Sequence, residues 1–394
     1  MKPAKRLELV PPYLFAGIRQ KINAARARGV DVISLGIADP DQPTPDHIID
    51  ELVRAIRDES DPDRHRYGGD IPVPDFAEAV ASYYKKRFGV TLDPAKEVLT
   101  LIGSKEGIQH VAWAFIEPGD VALVPEPGYP VYSMGALFAG GWAHFLPLRK
   151  ENRWLPDLNA IPLSVLQRTK ILWLNYPNNP TAATATREFF AQAVALAHKH
   201  GFLICHDAAL IDITFDGYVA PSILEVDGAK DVAIEFYSLS KPYNMTGWRI
   251  AAAVGNASAL AALGLVKEYT DSGVLRAIQF AGAKALTASQ ECVRQICAVY
   301  QRRRDIAYEG LRKVGINLDK PKGSLYVWAE VPAPFKTSAE FAEALLEKAG
   351  VVVTPGRGYG EAAEGYFRLS LTYPDARLQE AMERIAKAMS SWGS

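Results

Sequence analysis

The run Ser238-Leu239-Ser240-Lys241-Pro242-Tyr243-Asn244-Met245-Thr246-Gly247-Trp248-Arg249 places a lysine among small hydroxyl residues, with an arginine eight positions further on. A lysine at the end of a buried strand is partly desolvated. Desolvation lowers its pKa and frees the amine as a nucleophile toward an aldehyde. Arg249 could bring a fixed guanidinium to a phosphate. Three other polar clusters have the same setting, each directly after an apolar run. They are Gly103-Ser104-Lys105, the stretch from Asn175 to Thr181, and the stretch from Asp207 to Leu210. Ser104 and Lys105 fall at a strand-to-helix junction, where backbone N–H groups favour a phosphate.

The apolar runs are the elements that must position these residues. VLTLI (98–102), VALV (121–124), KILWL (170–174), FLIC (202–205), AIEFY (233–237) and RIAAAV (249–254) read as short strands. Helical patterns follow several of them, as at 104–116 and 187–200. Fully apolar strands alternating with helices predict an α/β fold with a mostly parallel sheet covered on both faces. Ligands of such sheets bind beyond the carboxyl ends of the strands, where the polar clusters lie. A Pro-rich stretch at 38–48 leads into the first amphipathic helix. A long helix near 290–312 is expected to cross from the large unit into a smaller α/β unit.

Composition narrows the function classes. At about 150 residues per domain, 394 residues predict two to three domains. Forty-four Lys+Arg against 45 Asp+Glu give a net charge of -1, which argues against electrostatic binding of nucleic acid. No stretch approaches the roughly 18 apolar residues of a membrane span. The N-terminal MKPAKRLELVPPYLF has no apolar leader, so a cytoplasmic location is expected. The three cysteines, Cys205, Cys292 and Cys297, lack CxxC spacing and read as buried small hydrophobes in a reducing compartment. The seven histidines show no HExxH pattern, so no metal site is expected.

SLSKPYNMTGWRI at 238–250 resembles the lysine signature of fold-type I pyridoxal-phosphate aminotransferases of class I/II. Within them the chain is similar to the LL-diaminopimelate aminotransferase-like group. The resemblance runs almost end to end: PPYLF (11–15), DPDQPTP (39–45), HRY (65–67), IGSKEGI (102–108), PEPGYPVY (125–132), LNYPNNPT (174–181), CHDAA (205–209) and YFRLSLT (366–372). It implies a large cofactor-binding domain over 46–294 and a small C-terminal domain over 295–394. An N-terminal segment over 1–45 would pack with the small domain.

The resemblance also implies roles. Lys241 would form the Schiff base with pyridoxal 5'-phosphate and shuttle the substrate proton. Asp207 would pair with the pyridinium nitrogen, Asn179 with the ring's phenolic oxygen, and Tyr129 would stack on the ring. Ser104, Lys105, Ser238, Ser240 and Arg249 would form the phosphate cup. Tyr67 would reach the phosphate of a neighbouring subunit, implying a homodimer with shared active sites. Arg368 would hold the substrate α-carboxylate, with Asn179 beside it, and Tyr13, Ile37, Ala38 and Asp70 would shape the side-chain pocket. Taken singly, several of these residues have plainer readings. Asp207 could cap a helix, Pro-Asn-Asn-Pro forms turns unaided, Tyr129 could be core, Arg368 could sit in a surface ion pair, and Asp70 could be a solvated loop residue.

The chain departs from the family pattern at several positions. Leu210 stands where a tyrosine is usual and cannot donate a hydrogen bond. Ala38, Pro72, Ala182 and Ala251 stand where glycine is usual, and Asp70 where a second tyrosine is. The expected activity is transfer of an amino group between an L-amino acid and a 2-oxo acid. Redirected chemistry on the same scaffold (oxidation, decarboxylation or elimination) is the alternative, and a non-catalytic binding module is a third reading.

Overall fold

The computed structural model describes residues 1–11, 14–67 and 73–392. Its first helices are α1 (Leu14–Ala27), α2 (Asp46–Arg57), α3 (Pro74–Phe88) and α4 (Ser104–Phe115). After the short strand β1 (Ile33–Ser34) come the strands of the main sheet. These are β2 (Val98–Leu101), β3 (Val121–Glu126), β4 (Trp142–Pro147), β5 (Thr169–Leu174), β6 (Leu203–Asp207), β7 (Ala233–Ser238) and β8 (Ala251–Gly255). The C-terminal part adds β9 (Tyr326–Glu330), β10 (Val351–Val352), β11 (Thr354–Pro355) and β12 (Tyr366–Ser370).

The seven-stranded sheet has the order β2-β8-β7-β6-β5-β3-β4. Strands β3 to β7 run parallel to one another, and β8 is antiparallel to both of its neighbours, β7 and β2. The predicted apolar runs are all strands. Strand β4 carries no long apolar run and was not expected; it lies at the sheet's edge with most of its residues partly or fully exposed.

The register sets the site. Leu101 and Ser238 both pair with Ala251, so β2 and β7 end on either side of the point where β8 begins. Gly103-Ser104, Ser238–Lys241 and Arg249 are therefore neighbours. On the other side, Asp207 pairs with Phe236 and Leu174 with His206, which brings Asn175 and Asp207 to the same edge.

Both termini build the smaller part. N-terminal β1 pairs in parallel with β10, while β11, β12 and β9 form a three-stranded sheet. The helix Glu291–Lys313 enters this part and buries Arg303, whose guanidinium binds Asp41 at 2.7 and 2.8 Å and Asp375 at 2.9 Å. Those bonds tie the loop after Ile37 and Ala38 to the long helix. Cys205 is buried within β6, whereas Cys292 and Cys297 are only half-buried, so the small-hydrophobe reading fits the first of them best.

The three glycine-to-alanine departures can be sorted by backbone. Ala38 and Ala251 do not adopt positive φ, but Ala182 does, at 58°, while buried in the turn after Asn179. The left-handed region costs an L-residue roughly 1–2 kcal/mol, whereas glycine enters it freely. Ala182→Gly is expected to raise stability by about 1 kcal/mol, seen as a higher denaturant midpoint at unchanged slope. A lower midpoint would mean that the buried methyl contributes more than the backbone strain costs.

Candidate active site

A cavity of about 320 Å³ lies at the carboxyl edge of the sheet. Its walls include Ile37, Ala38, Ser104, Lys105, Tyr129, Asn179, Asp207, Ser238, Ser240, Lys241, Arg249 and Arg368. Twelve of the fifteen residues expected from sequence thus share one wall set. Tyr67 does not join them and is 84% exposed. Tyr13 and Asp70 lie outside the described residues.

Lys241 follows β7 in a tight turn. The amide of Tyr243 donates to Leu239 O and that of Met245 to Ser240 O. Among the described residues its Nζ makes no hydrogen bond. Burial pushes its pKa down from 10.5 to about 8; nearby Arg368 and Arg249 act in the same direction and Asp39 opposes them. The neutral, nucleophilic amine is therefore far more populated near neutral pH than that of an ordinary lysine, although the ammonium remains the major form.

Asp207 ends β6, is buried, and has its pKa raised by that burial. Its carboxylate accepts from Tyr132 Oη at 2.8 Å and from the Ala209 amide at 3.2 Å, both neutral donors. Tyr132 is itself buried, stacked on Trp173 at 4.8 Å. A cationic N–H in the cavity would restore the charge balance that burial has disturbed.

The opposite wall is set by Arg368 on β12, buried to 1% exposure. Its Nη1 donates to Asn179 Oδ1 at 2.9 Å and its Nη2 to Gly36 O at 2.8 Å. Tyr326 lies under the guanidinium, 4.2 Å from its ring centroid to the guanidinium carbon. The amide of Asn179 donates to Asn175 Oδ1 at 2.8 Å, and Asn175 Nδ2 donates to Asp207 O at 2.8 Å.

At the third wall, Gly103 adopts φ +73° and starts α4. A Cβ at this position would lie only 2.1 Å from Arg249 Nη2. Only glycine lets the guanidinium lie against the helix N-terminus, and Ser104, Ser238, Ser240 and Arg249 line the cavity with donors whose chemistry suits an anion. Arg249 itself adopts φ 58°, and its Nη1 donates to Thr246 O at 2.8 Å. Glu106 braces the same turn, accepting from the Ile102 amide at 3.0 Å and from the buried Lys267 at 3.1 Å.

Sequence reasoning missed several wall residues: Arg19, Asp39, Tyr132, Asn175, Thr246 and Tyr326. Asn175 and Tyr132 stood within quoted motifs, next to residues that were assigned. Arg19 and Tyr326 carried no local signal. Leu210 also lines the cavity, but its side chain packs into the core of the smaller part with Ile33, Leu35 and Ile213.

Residues 30–385 match the aminotransferase class I and II family. The chain belongs to that family. It is 53% identical over 389 residues to the LL-diaminopimelate aminotransferase of Moorella thermoacetica, covering 99% of each chain. It is 55% identical over 390 residues to the enzyme of that name from Dehalococcoides mccartyi, covering 99% of this chain and 100% of the relative. Among solved structures, apo-BacF from Bacillus subtilis superposes with a TM-score of 0.94 at 37% identity, covering 100% of both chains. Thermus thermophilus aspartate aminotransferase with maleate gives 0.89 at 29% identity, covering 98% of this chain and 100% of that one. The protein is an aminotransferase with the fold-type I architecture, and these relatives do not favour redirected chemistry. Among the described residues no helix is long and apolar enough to cross a membrane.

The aminotransferase's lysine can be checked directly. In cofactor-free protein, reductive trapping of Lys241 by a small aldehyde, followed by mass spectrometry, should rise with pH and level off above about 8. Below that point the rate should fall on the order of tenfold per pH unit, following the neutral amine. A midpoint near the ordinary 10.5 would mean that the amine is solvated.

Proposed function

We propose that the cavity holds pyridoxal 5'-phosphate and moves an amino group between an L-amino acid, LL-diaminopimelate or a close analogue, and a 2-oxo acid. The observation that carries this is the convergence of three groups on one cavity: the desolvated amine of Lys241, the buried carboxylate of Asp207 and the buried guanidinium of Arg368. The donor set suits the group: an amine for an aldehyde, a carboxylate for a ring N–H, and the Gly103–Arg249 cradle for a phosphate.

When bound, the cofactor supplies an aldehyde and an electron-accepting ring. The chain's residues do the rest. Ser104, Lys105, Ser238, Ser240 and Arg249 hold the phosphate. Asp207, kept in place by Tyr132, holds a proton on the ring nitrogen, and Asn179 donates to the phenolic oxygen. Tyr129 covers the ring face. The amine of Lys241 would hold the cofactor through its aldehyde carbon and, as a free base, would move the proton at the substrate Cα. Arg368 orients the α-carboxylate, its plane fixed by Asn179 and Gly36. Ile37 and Ala38 shape the adjoining wall, and Tyr13 and Asp70 are assigned there by resemblance alone.

In this reading residues 46–294 form the cofactor-holding unit, and 295–394 with 1–45 form the unit that supplies Arg368. The exposed Tyr67 is assigned to the phosphate site of a second copy, making the active form a homodimer. Relatives of the same name and near-full coverage support the substrate assignment.

Lys241→Ala should retain the cofactor, through the phosphate cradle, yet lose turnover by at least about 10²–10⁴-fold. The check is the absorbance of the bound cofactor after mixing with LL-diaminopimelate, then with a 2-oxo acid. Wild type should change and revert; the variant should not. Unaltered turnover in Lys241→Ala would sink the assignment.

A further inference from the structure

One buried cation has no part in the reading above. Lys267 lies in the last turn of the helix Ala257–Glu268 and is only 1% exposed. A lysine is almost never buried so deeply unless it is paired. Its Nζ donates to Glu106 Oε1 at 3.1 Å and to Asp271 Oδ2 at 2.9 Å. Ala259, Leu260 and Leu263 of the same helix share an apolar core with Ile108, Val111 and Ala112, which seats that helix against α4.

Glu106 connects this ammonium to the edge of the cavity. Helix α4 starts at Ser104, and the residue before it, Gly103, has no side chain to cap the first turn. Glu106 fixes the turn instead. Its Oε2 accepts from the Ile102 amide at 3.0 Å, on the strand side of Gly103, and its Oε1 faces Lys267 and, at 2.8 Å, His110 Nδ1. A glutamate in the first turn that reaches back across the helix start is half of a capping box. Without that bond the glycine would leave open the direction in which Ser104 and the first free N–H groups point. Asp271, the other partner, accepts from the Gly273 amide at 2.8 Å. Carboxylate oxygens of Glu106 and Asp271 come within 4.8 Å of each other. Were the ammonium removed, two like charges would face each other beside donors that suit an anion.

We infer that Lys267 is a positioning residue for the phosphate of the cofactor. It holds Glu106 against the Ile102 amide and offsets the acidic pair beside the start of α4. Lys267 is not among the residues that line the cavity, so it acts through Glu106 on the turn that carries Gly103, Ser104 and Lys105. This rests on reading the cavity as a pyridoxal 5'-phosphate site.

The test titrates cofactor-free wild-type, Lys267→Met and Lys267→Arg proteins with pyridoxal 5'-phosphate and with pyridoxal, which lacks the phosphate. Binding is followed by the absorbance of the bound ring. Both ligands meet the same Lys241 and Asp207, so the ratio of their affinities reads the phosphate site. In Lys267→Met this ratio should fall on the order of tenfold, part of what a charge-assisted hydrogen bond contributes, while pyridoxal binds as before. Lys267→Arg keeps the charge and should recover part of the ratio. The phosphorus NMR signal of the bound cofactor should shift in Lys267→Met and return toward its wild-type position in Lys267→Arg. Where Lys267→Met does not fold, combining it with Asp271→Asn relieves the like-charge pair, and the same ratio should show a smaller fall. An unchanged ratio, or an equal loss for both ligands, overturns the role of Lys267. Wild-type protein that binds pyridoxal 5'-phosphate no more tightly than pyridoxal overturns the cofactor reading itself, and is recognised before any variant is compared.

Discussion

A short relay of hydrogen bonds holds the cavity together. It runs from the guanidinium of Arg368 to Asn179, from the Asn179 amide to Asn175, and from Asn175 to the backbone of Asp207. Arg368 belongs to the three-stranded sheet of the smaller part, and Asp207 to the main sheet. A buried guanidinium needs partners, because leaving it unmatched costs several kcal/mol. The smaller part can therefore bury Arg368 only when it meets the Asn175–Asn179 turn. The same requirement that closes the fold fixes where a substrate carboxylate would lie relative to Lys241.

Burial then tunes both ionisable groups on either side of this relay, in opposite directions. It lowers the pKa of the Lys241 ammonium and raises that of the Asp207 carboxyl. One cause acts on opposite charges, since a low-dielectric site disfavours any ionised form. Tyr132 offsets this at Asp207 by donating to the carboxylate, and is held by stacking on Trp173. The cavity is thus set to receive a cationic N–H on one side and, on the other, to offer an amine that gives up its proton more readily than an ordinary lysine.

The departures from the family pattern divide on physical grounds. Leu210 is continuous with the apolar core of the smaller part while also touching the cavity, so its replacement of a polar residue extends the packing across that junction. Ala182 retains the left-handed backbone that a glycine would take without strain. Ala251 begins β8 inside the buried sheet, and its small side chain suits the crossing between β2 and β7.

The sequence by itself determined the sheet and most of the site. Buried parallel strands are unbroken apolar runs, so a polar residue after each run marks the edge where ligands bind; Ser238, Asp207 and Ser104 were legible for that reason. Strand β4 was not, because an exposed edge strand has no such run. The lysine was legible from its setting at a strand end, while Asn179, Tyr129 and Arg368 were legible only through the resemblance of the ordered motifs. Only the tertiary structure brought Arg19, Asp39 and Tyr326 to the same wall. Arg19 and Tyr326 are far apart in sequence, on a helix and a strand whose local patterns state only that they are amphipathic or buried. Which of their side chains reaches the cavity depends on how α1 seats on Gly36 and how β9 pairs with β12, contacts that no local sequence window contains.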